Sequence, residues 1–192
     1  MEGAPNHERE LLDFTSENFK VTFSIAPEAV QFLPEVTAED LETKKEKYRL
    51  LVGEVTVSNQ EANVHIKGIL EMTDEEQKRC YSEGINEVSD INIPEIQKII
   101  RDVQNTYPEY TDFGFLGDIH THPTTEKDLN GIEPWLLSKG DIESIVAAYE
   151  SKQLSPEKPY IFGIAAPDEK GETQYSFYRL IKTGSEYSYE RI

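Results

Sequence analysis

The strongest constraint on the fold is the way hydrophobic periodicity switches along the chain. Phe19, Val21, Phe23 and Ile25 alternate with Lys20, Thr22 and Ser24, the period of a half-buried strand. Behind Pro94, Ile96, Ile99, Ile100 and Val103 recur three and four apart, the period of a helix entered through proline. Ile142, Ile145, Val146 and Tyr149 repeat that spacing and predict a second long helix over 139–151. Strand-like runs occupy 48–57, 63–72, 113–120, 160–165 and 174–181, and the polar turn at 58–62 predicts that the first two of these pair as an antiparallel hairpin. A short helical piece follows Pro27 and is interrupted by Pro34; another is expected over 38–45. Residues 73–92 are charged, lack a clean period and read as a long connection with one helical turn. Residues 124–137, with Gly131 and Pro134, read as a loop. Residues 1–18 are polar and predict a flexible N-terminal segment, leaving 19–192 as a single domain. Helices set among hairpin-connected strands predict an α/β fold with a mixed central β-sheet flanked by helices.

Composition narrows the function classes. The chain has 192 residues, long enough for one domain with a sizeable core. It carries 37 acidic and 19 basic side chains, a net charge of −18. Such a surface repels phosphate backbones, so no nucleic acid is expected as a partner. One cysteine, Cys80, excludes an internal disulfide. No stretch approaches the ~18 apolar residues of a membrane span, and the first residues, Met1-Glu2-Gly3-Ala4-Pro5, have neither the basic start nor the apolar run of a signal peptide. A cytoplasmic protein without membrane contact is the expectation.

The chemistry concentrates in Gly117-Asp118-Ile119-His120-Thr121-His122-Pro123. Residues i and i+2 of an extended segment face the same side, so His120 and His122 project together. Pro123 ends strand pairing there and releases the chain at the sheet's edge. Downstream, Ser138-Lys139-Gly140-Asp141 opens the predicted helix. Ser at the N-cap with an acid three residues on is the pattern of a capping box, and Asp141 in that role still has an oxygen to offer elsewhere. Two imidazoles and one carboxylate with an open fourth position are the layout of a catalytic zinc.

His120-Thr121-His122-Pro123 followed by Ser138-Lys139-Gly140-Asp141 resembles the motif of the JAMM (MPN-plus, Mov34/Jab-type) zinc metalloproteases: His-x-His-Pro, a spacer, Ser-x-x-Asp, and a glutamate well upstream. Glu46-Lys47-Tyr48-Arg49-Leu50-Leu51-Val52-Gly53 is similar to the family's run from that glutamate to a strand glycine. The resemblance spans roughly residues 19–181 and implies a cytidine-deaminase-like, JAB-type MPN fold. It further implies one Zn²⁺ per chain held by His120, His122 and Asp141. Glu46 would be general base and then acid, and Ser138 would stabilise the developing oxyanion. The implied reaction is hydrolysis of a peptide or isopeptide bond in a protein or peptide substrate, next to a ubiquitin-like C-terminus. One departure is the spacer: 15 residues separate His122 from Ser138 (138 − 122 − 1), about eight more than the family pattern. Asp128 is the alternative acidic ligand, and Glu54 and Glu71, beside predicted strands, are alternatives to Glu46. A non-catalytic or partner-regulated MPN-type scaffold and a zinc amidohydrolase of a small peptide are further function classes. Trp135, Leu136 and Leu137 give the spacer an apolar tip that would cover a pocket, dock a protein or pack on the domain.

Overall fold

Seven strands form one mixed sheet in the computed structural model, which describes residues 12–83, 89–125 and 133–192. In chain order the elements are β1 (Lys20–Ile25), α1 (Pro27–Val30), α2 (Ala38–Thr43), β2 (Tyr48–Ser58), β3 (Glu61–Glu71), α3 (Asp74–Cys80), β4 (Tyr81–Glu83), β5 (Ser89–Ile91), α4 (Ile93–Thr106), β6 (Gly114–Thr121), α5 (Lys139–Glu150), β7 (Ile161–Pro167), β8 (Thr173–Thr183) and β9 (Glu186–Arg191). The sheet order is β1-β3-β2-β6-β7-β8-β9. β1 with β3 and β6 with β7 are parallel pairs, and the remaining neighbours are antiparallel. A mixed α/β architecture results. No helix among the described residues is long and apolar enough to cross a membrane.

The period-two pattern buries the sheet on both faces. Leu50 and Val52 enter one core with Ile96, Ile99 and Ile100 of α4, Ile145, Ala148 and Tyr149 of α5, and Phe162 and Ile164 of β7. Leu51, between them, enters a second core on the opposite face with Phe14, Phe19, Val21, Ala29, Val64, Ile66, Ile119 and Ile161. Each fully buried Leu or Ile in these layers contributes about 1.5–3 kcal/mol relative to exposure.

Several expectations are corrected. Residues 1–11 of the expected flexible segment lie outside the described residues, but 12–18 are held. Phe14 is buried and stacks edge-on against Phe19 at 4.6 Å, its N–H donates to the Pro156 carbonyl at 2.8 Å, and Ser16 bridges to Lys182. An aromatic pair covering the second core outweighs the polarity of its neighbours. The described residues of the charged stretch 73–92 form α3, closed at its start by a capping box between Thr73 and Glu76, and the two-stranded β4–β5 ribbon. β9 was not expected. It is an edge strand with a mostly exposed set of side chains; its alternation is limited to Tyr187, packed on the first core, and Tyr189, set edge-on against Tyr178, a signal of two residues only.

β6 carries a bulge that sets the orientation of everything after it. Gly117 pairs with Leu51 and Phe115 with Val52, leaving Leu116 as the extra residue. Leu116 and Ile119 consequently both join the second core, while Phe115 packs toward the first. The phase of the strand reverses across the bulge. Gly117 sits at φ +133°, and a Cβ there would lie 1.8 Å from the Ile161 carbonyl oxygen, so this position requires glycine.

Candidate metal centre

Downstream of the bulge, Asp118, His120 and His122 turn toward α5. His122 N–H donates to the Ala165 carbonyl at 2.9 Å, and Thr121 N–H to the Lys47 carbonyl at 3.0 Å. The backbone carrying the imidazoles is thus tied on both sides. Pro123 has no N–H and pairing stops.

α5 brings the third group. Ser138 is its N-cap: Ser138 Oγ accepts the Asp141 N–H at 3.1 Å, and the Ser138 N–H donates to Asp141 Oδ2 at 2.7 Å. Such a cap contributes about 1 kcal/mol, and here it also aims the carboxylate. Asp141 Oδ1 is 3.2 Å from His120 Nε2, and Oδ2 is 3.3 Å from His122 Nε2. The two Nε2 atoms are 3.1 Å apart. His120, His122 and Asp141 each offer one ligand atom, all within 4.8 Å of one another, and this group could hold a metal ion.

The donor chemistry fits a cation. His122 Nδ1 is 2.8 Å from the Pro134 carbonyl, which can only accept, so Nδ1 carries the hydrogen and the lone pair of neutral His122 is on Nε2, facing inward. Two inward Nε2 atoms beside a carboxylate concentrate negative potential that a proton or a metal relieves. Without a metal a proton takes that place. Burial opposes the imidazolium of His120, but Asp141 and Asp118, with Glu46 beyond, outweigh it and hold its pKa well above the ordinary histidine value. Burial likewise opposes ionised Asp141, and His120 and His122 outweigh it, holding its pKa well below the usual carboxylate range.

Glu46 lies just before β2, beside the imidazoles. Lys47 N–H donates to Thr121 Oγ1 at 2.8 Å, and Tyr48 pairs directly with His120. The Tyr48 hydroxyl donates to Glu46 Oε2 at 3.0 Å, and its ring stacks on His120 with centroids 4.6 Å apart and planes 18° apart. Burial, then Glu46, Asp141 and Asp118, push the Tyr48 pKa far up, so it stays a neutral donor. The two alternatives sit elsewhere. Glu71 pairs with Arg49 Nη2 at 3.2 Å, and Arg49, next to Tyr48 in the strand, faces the other side of the sheet. Glu54 follows Gly53, which pairs with Gly114 at the far end of β6, about 20 Å from His120 at the usual strand rise. Asp128, the alternative ligand, lies outside the described residues, as does 126–132 of the long spacer.

The end of that spacer packs on the domain. Leu137 is buried and Trp135 and Leu136 lie against the first core. The Tyr178 hydroxyl donates to the Trp135 carbonyl at 2.8 Å, anchoring the segment whose Pro134 carbonyl orients His122. Pro134, Tyr48 and Asp118 join the site without a role that sequence pattern assigns to them. A backbone carbonyl leaves no trace in sequence; Asp118, two residues before His120 on an extended segment, shares its face and was open to the same period-two reasoning.

No family model matches this chain, and no curated protein matches it. Among solved structures, the solution structure of protein DSY2949 from Desulfitobacterium hafniense is similar over 88% of this chain and 90% of that chain, at 12% identity and a TM-score of 0.49.

Proposed function

We propose that this protein is a zinc-dependent metallopeptidase of the JAMM type. The observation that carries the reading is the convergence of His120, His122 and Asp141. Two imidazoles and one carboxylate are a donor set suited to zinc, and they stand at the C-terminal end of a central strand, where Pro123 ends the pairing. When bound, the ion supplies Lewis-acid activation of a water and of the scissile carbonyl.

The chain's own groups supply the proton traffic. Glu46, held through one oxygen by Tyr48, accepts the proton of the attacking water and returns it to the leaving amine. Ser138 Oγ already accepts the Asp141 N–H, which leaves its own O–H to donate to the carbonyl oxygen as negative charge develops. The proposed substrate is a peptide or isopeptide bond at the C-terminus of a ubiquitin-like protein, following the motif resemblance.

The test is a Glu46→Gln variant with a ubiquitin-like fusion as substrate. Turnover should fall by about 10²–10⁴-fold while zinc content stays at about one per chain. Full turnover in Glu46→Gln removes Glu46 from the mechanism. Wild-type protein that binds no zinc after purification without chelators overturns the metallopeptidase reading.

A further inference from the structure

The side of His120 that faces away from Asp141 is buried and incompletely satisfied. Among the described residues His120 Nδ1 has no hydrogen-bond partner, although the ring is almost wholly enclosed. Asp118 Oδ1 lies 3.6 Å from it, with both side chains about 5% exposed. A second buried group, the Tyr81 hydroxyl, is also without a partner among the described residues. Tyr81 stacks on Tyr48 at 4.2 Å, and Tyr48 stacks on His120, so the three rings form one column. Tyr81, Asp118 and His120 line a common cavity of about 20 Å³. That space admits a single water molecule, and two donors and a carboxylate are enough polar partners to hold one.

We propose that Asp118 is the positioning residue of His120: its carboxylate takes the Nδ1–H, directly or through one internal water shared with the Tyr81 hydroxyl, and so fixes the tautomer that turns Nε2 inward. The assignment presupposes that His120 is a metal ligand. Without an acceptor at Nδ1, the neutral ring is free to carry its hydrogen on Nε2, the atom needed for the metal. An acceptor behind a ligating histidine fixes both its tautomer and its rotation, and raises its basicity. His122 already has such an acceptor in the Pro134 carbonyl; Asp118 gives His120 the equivalent. Tyr81 couples this support to β4, and thereby to the ribbon that follows α3. Asp118 lies at the Nδ1 of the ring, away from the Nε2 that meets Asp141, and Tyr81 is stacked behind Tyr48, so both act through His120 and neither is a catalytic residue.

The experiment compares wild type, Asp118→Asn, Asp118→Ala and Tyr81→Phe for zinc affinity against a competing chelator. It also records the ¹⁵N shifts of the His120 imidazole in the metal-free protein above the pH at which the ring is neutral. Zinc affinity should fall about 10–100-fold in Asp118→Ala. The loss should be smaller in Asp118→Asn, which keeps an acceptor but not the charge, and smallest in Tyr81→Phe. The imidazole shifts should move from a single Nδ1–H form to a mixture in the same order. Wild-type affinity and an unchanged tautomer in Asp118→Ala overturn the assignment while leaving the metal centre intact. Failure of the wild type to bind zinc overturns the metal centre itself. If Asp118→Ala does not fold, the isosteric Asp118→Asn and Tyr81→Phe decide: an unchanged tautomer and affinity in both overturn the assignment.

Discussion

At the scale of residues, Asp141 joins three demands in one side chain. It caps α5, pairs with His120 and His122, and is a candidate metal ligand. The metal-free protein should show this coupling in its pH dependence. Unfolded histidine and aspartate titrate near ~6.5 and ~3.9. His120 is raised, so its contribution to stability is complete below about pH 6.5 and is lost as pH climbs through its folded value. Asp141 is lowered, so its contribution is complete above about pH 3.9 and is lost as pH falls through its folded value. Both act fully between about pH 4 and 6.5. In that window Asp141→Asn should cost the metal-free protein about 1.5–3 kcal/mol, with a smaller cost at alkaline pH. Thermal melts in chelator across pH 4–9 check this, and an equal cost at every pH contradicts it. Metal binding should have the opposite trend, strengthening as pH rises, because the ion displaces the His120 proton.

At the scale of elements, β6 decides whether the site exists. Its alternation is legible up to Phe115, and the imidazole pair is legible from its spacing. The bulge between them is not, because an extra residue leaves the same amino acids in the same order. Only Gly117, at a backbone angle other residues avoid, marks the place. Gly117→Ala should destabilise the protein by more than about 2 kcal/mol, since its Cβ would meet the Ile161 carbonyl oxygen. Zinc affinity should fall with it, and denaturant melts paired with zinc titration read both. A stable variant with intact zinc binding contradicts the role given to this bulge. α5 was legible for a different reason: Ser138 and Asp141 signal the cap, and Ile142, Ile145 and Tyr149 signal the buried stripe. β9 offered only Tyr187 and Tyr189 in alternation, because an edge strand that is mostly exposed needs no longer apolar face.

At the scale of the molecule, the candidate metal ligands come from two elements brought together by the first core. His120 and His122 ride on β6, Asp141 on α5, and α5 packs on that core through Ile145, Ala148 and Tyr149. Residue types with demanding chemistry could be picked out one by one. Their support could not, since Tyr48, Tyr81, Asp118 and the Pro134 carbonyl acquire meaning only from tertiary packing. The acidic surface acts at the same scale. With a net charge of −18, self-repulsion opposes the folded state, and salt relieves it by shortening the screening length from ~30 Å at 0.01 M to ~8 Å at 0.15 M. The melting temperature should rise by a few degrees over that range in differential scanning fluorimetry; a fall would mean that attractive surface pairs such as Lys45 with Asp74 outweigh the repulsion.

The extra residue in β6 also has a genetic meaning. With the pairing of Phe115 and Val52 held, loss of one codon at Leu116 or Gly117 restores unbroken alternation downstream. Asp118, His120 and His122 would keep the face they have now, toward Asp141, because the bulge sets Leu116 and Gly117 together against the single position of Leu51. A descendant of this gene could therefore shed three nucleotides there and keep the direction of every ligand, whereas a strand straightened at full length would turn all three to the second core.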